Sequence, residues 1–270
     1  MPIASAYTSE RMDTLVAQFE ELARSQVGPG YCRVRRNEFV LQRMLLPDIF
    51  DHTYGRALDV GCGIGFKSLL LGDIAREVDG IDLAVPYHGF RGHAPAAVVG
   101  QTLLDRVGCT WATLSPVDDL DRFLEGRPEH YDLIVTDYLV EHIADVALLH
   151  AAILRALQPG GVVVHAVPNT HDAIEQFVRL NVGASVRDIA KSLVGVLRRR
   201  RRAQKMTARG VLVPIAHSEF LSDFGSQFDV YRLERNVFPM IEAGFEIVRI
   251  VPTREHCYTV VGRRPAGAGR

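Results

Sequence analysis

Across 270 residues, 47% hydrophobic and 23% charged side chains supply enough apolar mass for one large α/β domain or a domain plus a cap, and exclude the disordered and low-complexity classes. A formal net charge of −1 gives no global attraction to nucleic acid or membrane, although residues 168–214 hold ten basic and only three acidic side chains. The four cysteines, Cys32, Cys62, Cys109 and Cys257, form no C-x-x-C pair, which argues against a zinc site or a disulfide framework and leads us to expect a reducing, cytoplasmic setting.

Residues 1–13 hold no apolar run suited to a signal peptide, and no stretch is long enough to span a bilayer. From Ser9 to Gln26 the apolar positions Met12, Leu15, Val16, Phe19 and Leu22 recur at helical spacing. Ser9 can cap this helix, and Val27-Gly28-Pro29-Gly30 ends it. A second helix is expected from Asn37 to Leu46, stopped by Pro47. Strands and helices then alternate. Strands are expected at Arg56–Val60, Glu77–Ile81, Cys109–Leu114, Tyr131–Val135 and Val162–Ala166. Helices are expected at Phe66–Ala75, Val117–Phe123 and Ala144–Leu157, the last closed by Gln158-Pro159-Gly160-Gly161. This alternation implies βαβ units and a parallel sheet. Near the end, Val237–Ala243 reads as a helix capped by Gly244, and Phe245–Val251 with His256–Val261 as a hairpin. About seventy residues separate the fifth strand from this last helix, too many for a connection, so they read as an inserted cap.

The segment Ala57-Leu58-Asp59-Val60-Gly61-Cys62-Gly63-Ile64-Gly65, followed by Val78-Asp79-Gly80-Ile81-Asp82, carries the chemistry. A strand, a glycine-rich turn, a helix and a second strand ending in an acid form the first half of a nucleotide-binding sheet. Dinucleotide folds place a third glycine three residues after the second. That position is Phe66, and Gly65 follows instead. Glycines here let backbone approach a ligand where side chains would collide. An acid closing the second strand can accept hydrogen bonds from both hydroxyls of a ribose.

This G-x-G-x-G turn preceded by Asp59 resembles motif I of class I S-adenosylmethionine (SAM)-dependent methyltransferases. A second set of blocks resembles the small-molecule group typified by ubiquinone-biosynthesis O-methyltransferases. It runs from Tyr131-Asp132-Leu133-Ile134-Val135 through Leu139-x-Glu141-His142-Ile143 and Arg155-x-Leu157-x-Pro159-Gly160-Gly161 to Pro168-Asn169. The resemblance implies a Rossmann-like α/β fold, with a mostly parallel seven-stranded sheet and an antiparallel last strand. It also implies an N-terminal helical lid (1–55), a SAM-binding core (56–167), an inserted cap (168–236) and terminal core elements (237–262). Residues 263–270, rich in Gly, Ala and Arg, are expected to be disordered. The implied cofactor is SAM, leaving as S-adenosylhomocysteine. Its site would draw on Asp59, Gly61, Cys62, Gly63 and Gly65 from motif I, and on Asp82 and Leu83 at the ribose. Beyond the third and fourth strands it would draw on Val117, Asp118, Asp137 and Tyr138. One departure stands out: aligning on Leu120 puts Pro116 where relatives carry an adenine-binding acid, leaving Val117 backbone, Asp118 or Asp119 to make that contact.

The sulfonium donor is already activated, so the protein mainly positions an acceptor and removes its proton where needed. His142, one turn past the fourth strand, and His217, within the cap, are the candidate catalytic groups, read equally well as junction-capping or pocket-lining residues. Glu141 reads as structural. Tyr7, Tyr31, Tyr87 and His88 are packing or loop residues that could reach the pocket. A small-molecule acceptor is expected, oxygen first and nitrogen or carbon next. The run Arg198–Arg202 ends an apolar-faced helical stretch at 186–202, which suits a solvated helix end, or else peripheral membrane contact or an RNA, anionic or lipid-linked acceptor gripped by the insert. A nucleic-acid methyltransferase is the competing class. However, Thr136-Asp137-Tyr138-Leu139 lacks the Pro-Pro segment of amino-methylating enzymes, and no cysteine follows a proline. An NAD(P)-dependent oxidoreductase is opposed by Phe66, and a non-catalytic SAM-binding module by the intact turn with Asp82.

Overall fold

The computed structural model describes residues 10–27, 31–85, 94–140, 143, 145–168, 233–254 and 257–267. Helices α1 (Glu10–Ala23), α2 (Tyr31–Leu45) and α3 (Pro47–Phe50) come first. The expected second helix starts six residues earlier than its apolar spacing suggested. Leu46 breaks it, and Pro47 begins the short α3, where its missing N–H costs nothing. The core follows as β1 (Tyr54–Val60), α4 (Phe66–Leu71), β2 (Ala75–Leu83), α5 (Ala96–Arg106), β3 (Ala112–Val117), α6 (Leu120–Glu125), β4 (Tyr131–Asp137), α7 (Val146–Ala156), β5 (Leu157–Pro168), α8 (Leu233–Ala243), β6 (Glu246–Arg254) and β7 (Cys257–Arg263).

The strands form one seven-stranded sheet in the order β3-β2-β1-β4-β5-β7-β6. β1 to β5 are parallel. β7 runs antiparallel to both β5 and β6, so the sheet closes with an antiparallel last strand. Alternate residues of each strand feed two cores. Ala57, Val78, Leu133, Val135 and Val164 pack with Phe19, Phe39, Phe66, Leu70 and Leu104 on the side of α1, α2, α4 and α5. Leu58, Val60, Ile134, Val163 and Val260 pack with Leu124, Leu149, Ile153 and Met240 on the side of α6, α7 and α8. The central strands are buried on both faces, which explains their unbroken apolar runs.

Three expectations need correction. β3 lies three residues further on than expected: Ser115, Pro116 and Val117 are strand, with Pro116 opposite Asp82. A proline is accommodated there because β3 is an edge strand. α5 was not foreseen at all, since Ala96-Ala97-Val98-Val99-Gly100 gives a weak helical signal. Gly100 is nonetheless required, for a Cβ there would lie 2.6 Å from the backbone carbonyl of Ile64 in the motif I turn. The tail is also ordered further than expected. Arg263 closes β7, and the guanidinium of Arg264 donates to the carbonyl oxygens of Leu154, Arg155 and Leu157 and to Glu129. The expected cap at 168–236 lies outside the described residues except at its two ends.

Candidate functional site

The carboxyl ends of β1, β2 and β4 finish level with one another, Val60 pairing with both Ile81 and Thr136. The chain leaves β1 there through the glycine turn. Gly61, Gly63 and Gly65 all adopt left-handed φ values, of 78°, 55° and 74°. The turn is pinned to the end of β2: the N–H groups of Gly61 and Cys62 both donate to the carbonyl oxygen of Ile81. A Cβ on Gly65 would fall 2.3 Å from Leu114 Cδ1, and one on Gly63 would fall 3.0 Å from the Tyr31 hydroxyl. Tyr31, the first residue of α2, thus reaches the turn with its hydroxyl.

Asp82 sits beside this turn. Its Oδ2 accepts from the N–H of Gly63 at 2.7 Å, and its Oδ1 accepts from the N–H of Leu83 at 2.7 Å. A carboxylate offers about four lone-pair directions, more than these two bonds use. A half-buried anion at the rim of a side-chain-free turn fits a ligand carrying a vicinal diol. Outside β3, Asp118 is exposed, while Asp119 is committed to capping α6 by accepting from the N–H of Arg122. Val117 closes β3, its carbonyl accepting from Ala84 N–H.

Two motif I side chains are buried. Asp59 is buried beneath the turn and accepts from the Ser68 hydroxyl at 2.6 Å, tying β1 to α4. Burial pushes its carboxyl up to about 7, against the opposing pull of that hydrogen bond. The Cys62 side chain is buried toward Gly80, and burial raises its thiol well above the ordinary range.

A polar network that the sequence did not reveal joins α2 and α4 to the end of β4 and the start of β7. Lys67 Nζ pairs with Asp137 Oδ2 at 2.7 Å and donates to Gln42 Oε1 at 2.5 Å. Burial drives the Asp137 carboxyl upward, but the Lys67 ammonium and Arg35 guanidinium hold it below the usual range. Tyr138 follows with φ 57°, a left-handed backbone that is rare for a bulky residue. Its hydroxyl donates to Glu38 Oε1 at 2.7 Å and lies 3.2 Å from Cys257 Sγ. Arg35 pairs with Glu38 and lies over the Tyr138 ring. Lys67 sits in the apolar run Phe66-Lys67-Ser68-Leu69-Leu70-Leu71, and that lone charge was the available signal. Gln42 and Glu38 carried none, since they look like ordinary polar positions of α2. His142, His217 and Glu141, like Tyr7, Tyr87 and His88, lie outside the described residues.

This sheet order, the left-handed G-x-G-x-G turn and the acid at the end of β2 define a class I SAM-dependent methyltransferase. The chain belongs to the family described as "Methyltransferase domain", whose profile matches residues 31–221. It is 27% identical over 135 residues to the ubiquinone biosynthesis O-methyltransferase of Serratia proteamaculans, and equally to that of Yersinia pestis. The match takes in 50% of this chain and 49% of each relative, so the chain spans about half the length of the curated relatives it matches. Among solved structures, the PH0226 protein of Pyrococcus horikoshii has a TM-score of 0.58 at 17% identity, covering 90% of this chain and 98% of that one. A SAM-dependent methyltransferase of Aquifex aeolicus has a TM-score of 0.53 at 13% identity, covering 92% and 97%. No described helix is long and apolar enough to cross a membrane.

Proposed function

We propose that this protein moves the methyl group of SAM to an oxygen of a small-molecule acceptor. The corner between Gly63 and Asp82 carries the reading: backbone that admits no side chain lies hydrogen-bonded to a carboxylate suited to a ribose diol. When bound, SAM supplies a methyl group on a sulfonium, already activated for in-line displacement. The residues of the chain then bind, orient and exclude water. Asp82 accepts from the two ribose hydroxyls, and Val117 with Asp118 borders the adenine. The Lys67–Asp137 pair holds α4 to the end of β4 without leaving an uncompensated buried charge. α2 covers one side of the turn through Tyr31.

Oxygen as the receiving atom is supported by the likeness to ubiquinone biosynthesis O-methyltransferases over 135 residues. The acceptor would enter over the ends of β4, β5 and β7, the part of the edge that the cofactor corner leaves open. Residues 168–236 would form the cap that selects it, with His142 and His217 facing it. Calorimetry tests the reading directly. SAM and S-adenosylhomocysteine should bind and NADH should not, whereas binding of NADH alone would overturn it.

A further inference from the structure

Resting on that reading, the geometry points to Tyr138 and Glu38 as a two-step proton path that takes the proton from an acceptor hydroxyl as it is methylated. Tyr138 stands where β4 ends, and its phenol reaches across the end of β5 to Cys257, the first residue of β7. That is the acceptor half of the edge, on the far side of β1 from Asp82. The left-handed backbone at Tyr138 is costly for an aromatic residue, and such conformations persist where the surroundings over-determine them.

The hydrogen bonds give the path its direction. The phenolic O–H donates to Glu38 Oε1, so the phenol oxygen must accept from Cys257 and retains one lone pair for an acceptor hydroxyl. Burial, and then the Glu38 carboxylate, raise the phenol well above its usual range, so Tyr138 passes protons as a neutral group and does not act as a phenolate base. Glu38 is buried on α2 and anchored by Arg35, which fixes the receiving oxygen.

In the step, the acceptor oxygen bonds to the methyl carbon while the carbon–sulfur bond breaks and its electron pair stays on sulfur. The acceptor proton moves to the Tyr138 oxygen, and the phenolic proton moves to Glu38. The products are a methyl ether, a neutral thioether and a protonated Glu38 that returns its proton to solvent along the same path. An alkylated hydroxyl is a strong acid, so even an arginine-paired carboxylate suffices to receive its proton. Tyr138 is the catalytic residue here, and Glu38 is a positioning residue acting through it. Among the described residues, the ionisable groups facing the pair include Tyr31 and Arg35 from α2, Asp137 from β4 and Cys257 from β7, with Lys67 of α4 paired to Asp137.

The test uses the full chain, Tyr138→Phe, Glu38→Gln and the double variant. SAM affinity is measured by calorimetry, and labelled methyl transfer from pH 6 to 10 is followed with catechol, phenol and glycerol, alongside aniline and ethanolamine. At saturating SAM, each single variant should lose about a hundredfold in transfer to a hydroxyl acceptor at neutral pH. The double variant should lose no more than either single one, because the two residues form one path. The deficit should shrink as pH approaches the acceptor's own ionisation, since an oxyanion has no proton to give up. Wild-type rates in either variant, a deficit equal at every pH, or transfer to amines alone would each overturn the path. So would SAM binding without transfer to any hydroxyl probe. Failure of wild type to bind SAM would instead overturn the reading beneath it. Thermal melts confirm that each variant is folded, and Glu38→Gln retains the shape of the site if Tyr138→Phe does not fold.

Discussion

The N–H of Gly63 donates to Asp82 Oδ2 at 2.7 Å, so the glycine turn after β1 and the acid ending β2 form one unit. Removing the carboxylate therefore has two effects. Asp82→Ala should weaken SAM binding at least about tenfold, which is about 1.4 kcal/mol, consistent with loss of a charged hydrogen-bond acceptor. It should also lower the melting temperature of the ligand-free protein, because the turn loses its anchor. Calorimetry and a thermal melt separate the two, and unchanged affinity would refute the ribose assignment.

Gly100 tests how the turn is backed. Its Cβ would meet the carbonyl carbon and oxygen of Ile64 at 2.6 Å and Leu114 Cδ1 at 2.7 Å. Gly100→Ala should destabilise the fold by about 1–3 kcal/mol by forcing α5 off the turn, and should weaken SAM as well. Gly108 is the control: it has φ 72° and open space around its Cα. Gly108→Ala should cost about 1 kcal/mol of stability through backbone strain and leave SAM affinity alone. Equal effects of the two substitutions on SAM would show that the close approach of α5 does not shape the site.

The Lys67–Asp137 pair is buried on both sides. Lys67→Met should cost about 3–5 kcal/mol, because the buried Asp137 loses its directly paired cation. Adding Asp137→Leu should recover most of that loss. Denaturant midpoints of the single and double variants measure the coupling, and a single-variant cost below about 1 kcal/mol would mean the pair is not what fastens α4 to β4.

How far the sequence could be read follows from where its signals are local. The glycine turn, Asp82 and the unbroken apolar run of β4 are local patterns, and the structure places them as expected. α5 was hidden because Gly100 lowers helix propensity, and its purpose is a contact with Ile64 thirty-six positions away. β3 was misplaced because Pro116 reads as a terminator, although at a sheet edge it is tolerated inside a strand. Asp59 opens motif I and bonds to Ser68 on α4, a partner that the motif spacing alone does not reveal. The partners of Tyr138 and Lys67 come from α2, about a hundred residues and twenty-five residues away, and no spacing rule links them.

A buried histidine pair lies on the opposite face of the sheet. His165 Nδ1 is 2.7 Å from the Thr136 hydroxyl, His150 Nε2 is 2.8 Å from Asn236 Oδ1, and the ring centroids are 4.9 Å apart. Burial pushes His150 down to about 4, and burial followed by His150 lowers His165 well below its usual range. The unfolded chain takes up the His150 proton near 6.5, before the folded one, so stability present above that pH is lost as pH falls toward 4. Between pH 7 and 5 this amounts to about 2 kcal/mol. His150→Gln should remove that part of the pH dependence, as measured by denaturant unfolding at the two pH values. Asp59 acts in the opposite sense, since acid relieves its cost of ionisation, but it is common to both proteins and cancels in the difference. An identical pH slope in the variant would contradict the burial of a neutral imidazole.

The most direct measurement is a crystal structure with S-adenosylhomocysteine bound. The account predicts adenosine over the Gly61–Gly65 turn, with both ribose hydroxyls about 2.7 Å from the Asp82 carboxylate and the sulfur directed toward the ends of β4 and β5. A nucleoside seated anywhere else, or a ribose whose hydroxyls avoid Asp82, would contradict it.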